Sequence, residues 1–540
     1  MDGNPIAKRY QDVISEALSA FNGCLTESTL LDLARQFSDT YGDLAKHSTE
    51  HFLVTPVTAL PTGKENGKFL SIDVGGTNLR VGFIELLGEL EGTAQAAQQT
   101  PPSKIKRSHD KNWSIEEHLK IDQAQDLFAW IGDCIAEVIT DALDELPASE
   151  SVESPFGDEL LLGITFSFPM AQKRLSEATL LPMGKGFAIT SNLNLGEMLL
   201  AGYSRHLVES TTNGKNGHGE SNKKRRLSKL PRIRIAAITN DTVATFASLA
   251  YAVKAAPNSR VAMGLIVGTG TNATVPMNVG VLHPSKIDEL ADSRNVETIV
   301  INTEWTIRGT DKPLIDLNIK TKWDLQLDRE STAPGFQPFE YMTAGRYLGE
   351  IVRLVFVDLV SQEATEAKLP PSLTTKNAIL TRFLSEVVAR ADDVTLVKEL
   401  EKRYAPLDSP TAFWTPGRIK LLKDISYAVQ QRSSALIAAA CVGLLDCVHD
   451  IRIDRPDKSL TEKNGNGDYT EGEIEELVIA YAGGTISQYP EWLDTCQRWV
   501  GTLVTKSSLS NSSKRVVLKE ALDGGIIGAG VLAGMTDDIA

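Results

Sequence analysis

The stretch Ile72-Asp73-Val74-Gly75-Gly76-Thr77-Asn78 decides how the rest of the chain is read. An apolar run leads into a carboxylate, then two glycines, then a hydroxyl and an amide. Two successive residues without a Cβ let backbone N–H groups turn inward around phosphate oxygens. Thr77 and Asn78 can add side-chain hydrogen bonds, and Asp73, leaving a buried strand, can hold Mg²⁺ directly or through water. The same residues also read as an ordinary hairpin turn. A second turn of this kind, Gly268-Thr269-Gly270-Thr271-Asn272, favours the phosphate reading, because paired phosphate-gripping hairpins are an ATPase arrangement. The sequence has no GxxxxGK[ST] and no strand-linked GxGxxG, so P-loop and Rossmann readings lack support.

Outward from these turns, β-rich runs fall into two similar sets. Residues 69–74, 80–86, 160–166 and 232–239 form the first; 260–268, 271–277, 296–304, 476–482 and 515–518 form the second. Each set opens with a strand, a Gly/Thr/Asn turn and a second strand, and helical segments separate the later strands. The repeat predicts two related α/β lobes. Residues 5–47 read as helical, with Leu30, Leu33, Ala34, Phe37 and Tyr41 on one apolar stripe. Three polar stretches, 88–111, 209–230 and 457–473, read as solvated surface loops. The middle one carries Lys223-Lys224-Arg225-Arg226, which reads as a charged loop or as a nuclear-import signal.

Two further segments can carry chemistry. In Ile238-Thr239-Asn240-Asp241-Thr242, a carboxylate at a strand's end, with an amide beside it, suits a base that takes a hydroxyl proton. A helix N-cap is the competing role for Asp241. In Gly163-Ile164-Thr165-Phe166-Ser167-Phe168-Pro169, Ser167 can bind a polyol or simply terminate an edge strand.

Bulk properties bound the rest. At 540 residues and 42% hydrophobic content the chain can bury large cores, and a formal net charge of −15 argues against nucleic acid or an anionic membrane as partner. Five cysteines without a CxxC pair fit reduced thiols. The opening Met1-Asp2-Gly3-Asn4 lacks a signal pattern, and the longest apolar stretch, 435–445, is short for a bilayer. The expectation is a cytoplasmic protein, with nuclear entry open through Lys223–Arg226.

Together the segments resemble the hexokinase family. IDVGGTNLR (72–80), GITFSFP (163–169), TNDTVAT (239–245), IVGTGTN (266–272), NTEW (302–305) and PGFQPFEYMTAGRYLGE (334–350) follow one another in the family's order. The resemblance runs from about residue 60 to about residue 534, with a weaker helical match before it. It implies a two-lobed α/β, actin-like ATPase (ribonuclease H-like) fold with duplicated sheet cores, sugar and ATP meeting in the interlobe cleft. Residues 1–62 would pack on the large lobe, 63–239 form the small lobe and 240–540 the large one, in a monomer or homodimer.

Carried over by motif, Asp73, Val74, Gly75, Gly76, Thr77, Asn78 and Arg80 resemble the first phosphate segment. Ser167 and Phe168 match a sugar loop, and Gly184 and Lys185 stand in its KGF segment. Asn240 and Asp241 match the sugar-binding pair, with Asp241 as general base and Lys185 as catalytic partner. Thr269 matches a phosphate contact, and Asn272, Glu304, Gln337 and Glu340 match groups that hold the sugar. Gly345, Arg346 and the turn Gly484-Thr485-Ile486-Ser487 fall where nucleotide contacts are expected. The implied substrates are ATP with Mg²⁺ and a hexose or N-acetylhexosamine.

The departures concentrate on the sugar and adenosine loops. Gly184 replaces a sugar-facing threonine, Thr306-Ile307-Arg308 replaces Gly-Ala-Phe, Ala333 an asparagine, and Gly483-Gly484-Thr485 an Asp-Gly-Ser. Gly184 and the changed 306–308 segment are expected to make room beside the sugar's C2. Several of these features, with His283-Pro284-Ser285-Lys286 and Gly525-Ile526-Ile527-Gly528-Ala529, resemble the fungal N-acetylglucosamine kinase branch. That resemblance implies N-acetylglucosamine as the sugar. A glucose, mannose or fructose hexokinase and a non-metabolic regulator stay open.

Overall fold

The computed structural model describes residues 5–88, 104–121, 123–145, 159–168, 170–180, 193–207, 230–253, 258–288, 296–363, 368–405, 412–455 and 474–536. Contacts gather the chain into two units. The first comprises Met1–Val54, Ala256–Ile287 and Ile301–Leu522; the second comprises Thr55–Ala255, Asp288–Val300 and Asp523–Ala540. The contacts thus do not follow the single cut expected at 239/240. The helix Asp241–Val253 and the C-terminal helix Gly524–Gly534 both group with the second unit.

The second unit is built on five strands in the order Ile105–Ser114, Asn78–Leu87, Asn66–Val74, Glu159–Phe166, Arg232–Thr239. The first three strands form a meander: Asn66–Val74 lies antiparallel to Asn78–Leu87, which lies antiparallel to Ile105–Ser114. The last two strands join in parallel. Parallel strands need crossovers, and the helices Ala124–Asp144 and Leu195–Ser204 lie in those connections. The parallel strands read as near-continuous buried runs, such as Leu162–Phe166. In numbered terms the order is 3-2-1-4-5.

The first unit repeats that order. Its sheet runs Leu53–Val54, Thr298–Asn302, Thr271–Asn278, Ser259–Val267, Glu475–Ala482, Lys514–Glu520, again 3-2-1-4-5 once the short added strand is set aside. Ser259–Val267 is antiparallel to Thr271–Asn278 and parallel to Glu475–Ala482. Every strand expected from the sequence is present, and the duplication is a fact of topology.

Two expectations need correction. Residues 105–111, read as part of a loop, belong to the strand Ile105–Ser114, in which no residue is fully buried. It is an edge strand carrying Lys106, Arg107, Asp110 and Lys111, the charged decoration that keeps an edge from pairing further. The apolar stretch 435–445 is part of a 32-residue helix, Pro416–Cys447, begun by a Thr415 cap and a proline in its first turn. By length and composition this one helix, among the described residues, could cross a membrane, and its apolar window is wholly buried in the first unit. It is the core helix of that unit, against which Glu27–His47 packs; a Cβ on Gly443 would stand 2.6 Å from the Ala34 carbonyl oxygen.

The C-terminal helix Gly524–Gly534 is docked on the second unit's sheet through glycines. A Cβ on Gly528 would lie 2.0 Å from the Ala244 carbonyl oxygen, and one on Gly163 2.0 Å from that of Ala529. Gly528→Ala should therefore force the Asp241–Val253 and Gly524–Gly534 helices apart. Overpacking of this kind costs about 1–3 kcal/mol. A lower urea midpoint with unchanged slope would show it.

Candidate functional site

In the second unit, the turn Gly75–Asn78 is a true hairpin: Gly75 N–H donates to the Asn78 carbonyl at 2.9 Å, with Val74 opposite Leu79. Neither Gly75 nor Gly76 has a positive φ, so conformation does not demand glycine here. The space does the explaining. A Cβ on Gly76 would meet nothing within 4 Å, and Gly76, Thr77 and Asn78 are exposed. The hairpin and phosphate readings are compatible, because an open backbone cradle is what a polyphosphate needs.

Asp73 stands at the strand's end with partial solvent access. Burial pushes its carboxyl up, Arg80 pulls it down, and Asp241 and Asp523 push it up again, to about 7. The site is short of positive charge. Gly525, at the start of the Gly524–Gly534 helix, lies flush against it: a Cβ there would be 2.4 Å from Asp73 Oδ2. Asp523 accepts from Arg80 Nη1 at 2.7 Å. Neither Asp523 nor Gly525 was expected among the site residues, although the Gly525–Ala529 segment stands out in the sequence.

The helix Asp241–Val253 decides between the two roles open for Asp241. Asn240 caps it: its Oδ1 accepts from Val243 N–H at 2.9 Å and from the Thr242 hydroxyl at 2.9 Å. The cap is therefore Asn240, and Asp241 stands half-buried at the first helical position. Ser167 follows a central strand, not an edge, and its N–H donates to Val74 O at 3.0 Å. That disposes of the edge-terminator reading. Phe168 is buried, its ring 4.7 Å from that of Phe166. Gly184 and Lys185, like Lys223–Arg226, lie outside the described residues.

In the first unit, two of the groups expected to hold a sugar, Asn272 and Glu304, belong to one network. Asn272 Nδ2 donates to Asn302 Oδ1 at 2.7 Å, and Asn302 Nδ2 to Glu304 Oε1 at 2.7 Å. Asn302, missed as a site residue although it opens the NTEW motif, is thus the bridge. Glu304 has φ +48, a strained conformation for a long side chain and one typical of functional positions. The loop is braced from behind. Trp305 is fully buried and stacks on Tyr41 of the Glu27–His47 helix, and Phe339, next to Glu340, tilts against Phe37. Gln337 begins the helix Pro338–Thr343, which carries Glu340.

The expected room around residues 306–308 is not what these side chains show. Thr306 is buried with its hydroxyl 3.4 Å from Glu340 Oε2, and Arg308 pairs with Glu50 at 2.5 Å. The His283–Lys286 segment serves packing: His283 N–H and Lys286 Nζ both donate to Ala45 O, at 2.9 and 3.0 Å, and burial pulls the Lys286 amine down to about 8.

The proposed nucleotide residues converge in the same unit. Gly345 N–H donates to Gly268 O at 2.8 Å, Arg346 N–H to Thr269 O at 3.2 Å, and the Thr485 hydroxyl to Gly268 O at 3.0 Å. The glycine turn thus meets the N-termini of the helices Gly345–Ser361 and Gly484–Gln488. The longer helix points its positive dipole end there, which suits phosphate. Gly483, where an aspartate is usual, has φ +122, and a Cβ on it would stand 2.4 Å from Val267 O. Only glycine fits. A Cβ on Gly484 would meet nothing within 4 Å. Ile486 is buried, and Ser487 donates to Glu520 Oε1 at 2.7 Å. Among the described residues no cluster of three or more His, Cys, Asp or Glu could hold a metal ion. Asp73 fits Mg²⁺ of the kind that keeps its waters and sits mainly on phosphates.

Two family models, both described as Hexokinase, match residues 262–535 and 14–251. The chain belongs to the hexokinase family. Hexokinase-7 of Oryza sativa subsp. japonica is 29% identical over 517 residues, covering 94% of each chain. A hexokinase of Schistosoma mansoni is 33% identical over 334 residues, 61% of each. The solved hexokinase from Schistosoma mansoni complexed with glucose shares the fold, with TM-score 0.71 over 98% of this chain and 99% of that one at 24% identity. As a hexokinase, the chain is a sugar kinase that phosphorylates a hexose with ATP as donor.

Proposed function

We propose that this hexokinase transfers the γ-phosphoryl group of Mg-ATP to the 6-hydroxyl of its sugar, with N-acetylglucosamine preferred. The observation that carries the chemistry is the division of labour at the Asp241–Val253 helix. Asn240 satisfies the helix end, and Asp241 beside it, at the first helical position, is the carboxylate that accepts the hydroxyl proton. Asn272, Asn302, Glu304 and Glu340 offer both donors and acceptors, as sugar hydroxyls require. Backbone N–H groups of the glycine turns bind phosphate oxygens, and the dipole of the Gly345–Ser361 helix favours their charge. Mg²⁺, when bound, neutralises charge on the phosphoryl group, and Asp73 is the residue to hold it.

The choice of sugar rests on the sequence departures and on Thr306. Where glucose-type sequences have glycine, the Thr306 hydroxyl approaches Glu340, altering what that carboxylate can offer a sugar. A second reading, glucose, is favoured by the Schistosoma mansoni structure, which is complexed with glucose. An ATP-coupled assay across N-acetylglucosamine, glucose, mannose, fructose and glucosamine separates them. The expected result is a higher kcat/KM for N-acetylglucosamine than for glucose, with Thr306→Gly moving the ratio toward glucose by about ten-fold, the worth of one contact. Wild-type preference for glucose would refute this choice of sugar, and an unmoved ratio would remove Thr306 from it.

A further inference from the structure

On the edge strand Ile105–Ser114, Arg107 reaches the same carboxylate as Arg80. Its Nη1 donates to Asp523 Oδ2, while Arg80 Nη1 holds Oδ1 at 2.7 Å. Its Nη2 is pinned by Asp110 at 2.6 Å, and Asp110 lies so close to the neighbouring strand that a Cβ on Gly82 would be 2.0 Å from its Oδ1. Asp523 itself sits at φ +52, immediately before the helix whose Gly525 abuts Asp73. The strand hydroxyls of Ser71 and Thr165 fasten that first turn by donating to Ile526 O and Gly525 O. Each link is fixed by the next: Asp110, Arg107, Asp523, then Arg80 and the Gly525 turn.

We infer that Arg107 is a positioning residue of the phosphate and metal site, acting through Asp523 to hold Arg80 and the Gly525 turn in place beside Asp73. It does so by two routes. Geometrically, a carboxylate gripped by two guanidinium groups has one orientation, where a carboxylate held by Arg80 alone could follow Arg80 outward. Electrostatically, Arg107 and Arg80 both pair with Asp523, so Arg107 offsets part of the Asp523 charge near Asp73. The inference rests on the reading of Asp73 as part of the Mg-ATP site. The bonds of Arg107 go to Asp523 and Asp110, so its loss should be felt at Asp73 before it is felt by the sugar.

The test compares Arg107→Gln, Arg107→Lys and Asp110→Asn with wild type, and with Asp73→Asn as a control. KM for Mg-ATP, KM for the sugar, kcat and the thermal midpoint are measured, together with Mn²⁺ binding to the protein–ATP complex by electron paramagnetic resonance. Arg107→Gln is expected to raise KM for Mg-ATP and weaken Mn²⁺ binding by about ten-fold, the usual effect of losing an outer-shell partner. Sugar KM should stay within about two-fold, Arg107→Lys should recover much of the loss, and Asp110→Asn should move the same quantities less. Equal shifts in both KM values with a lowered midpoint, or no shift in Mg-ATP and Mn²⁺ while Asp73→Asn shows one, would overturn the role of Arg107. No effect of Asp73→Asn on either readout would overturn the underlying site reading and the inference with it.

Discussion

Asp241→Asn is expected to lower kcat by about 10²–10⁴-fold, the usual worth of a general base. The substitution keeps shape and removes only the capacity to take a proton. Because the helix end is satisfied by Asn240 through bonds to Thr242 and Val243, the amide should leave the fold intact. Sugar affinity by calorimetry should change by a few-fold at most. Had Asp241 been the cap, the variant would have lost stability first, so the thermal midpoint separates the two roles. Turnover within a few-fold of wild type would show that another group takes the proton.

The second large effect is on stability. Asp324 and Arg432 form a fully buried bidentate pair, with Nη1–Oδ2 and Nη2–Oδ1 both at 2.7 Å, and Thr321 donates to the same carboxylate from N–H and hydroxyl. The Arg432 guanidinium lies 4.4 Å from the centre of the Phe21 ring, which stacks on Trp323. One ion pair thus ties the Pro5–Asn22, Lys322–Arg329 and Pro416–Cys447 helices together. Asp324→Ala leaves the arginine buried and uncompensated, which costs about 3–5 kcal/mol.

The pH dependence follows from the same pair. Burial by itself would raise the Asp324 carboxyl, but Arg432 and the Thr321 bonds outweigh it and hold it below its usual value. A depressed carboxylate stabilises the fold above the unfolded value, about pH 3.9, and loses that contribution as pH falls through the folded one. The stability gap between wild type and Asp324→Asn should be constant from about pH 8 to 5 and shrink below about pH 4. A gap that changes across the neutral range would point to another group.

How much of this was legible in the sequence depended on whether chemistry and pattern agreed. The buried strands were readable because parallel strands are apolar throughout and each first strand runs into its glycine turn. Ile105–Ser114 was not, since an edge strand of lysines, arginine and aspartates looks like a solvated loop, and Arg107 was lost with it. The 32-residue helix shows in the sequence only as the apolar stretch 435–445, because Gln430, Gln431, Arg432, Ser433 and Ser434 interrupt the apolar run. All five are buried, and several bond to neighbouring elements. The motif residues Asp73, Thr269, Glu304 and Glu340 were found locally, each within a short segment. Asp523 and Gly525 needed the tertiary fold, because only the docking of the C-terminal helix brings them to Asp73 from the far end of the chain.

The most direct measurement is ³¹P nuclear magnetic resonance of Mg-ATP and N-acetylglucosamine, and separately glucose, with wild type and Asp241→Asn. With wild type, the γ-phosphate signal should fall as a sugar 6-phosphate monoester rises in equal amount, and Asp241→Asn should nearly abolish the conversion. ATP binding without any sugar phosphate formed from either hexose, or a phosphate carried on a position other than the 6-oxygen, would contradict the proposed reaction.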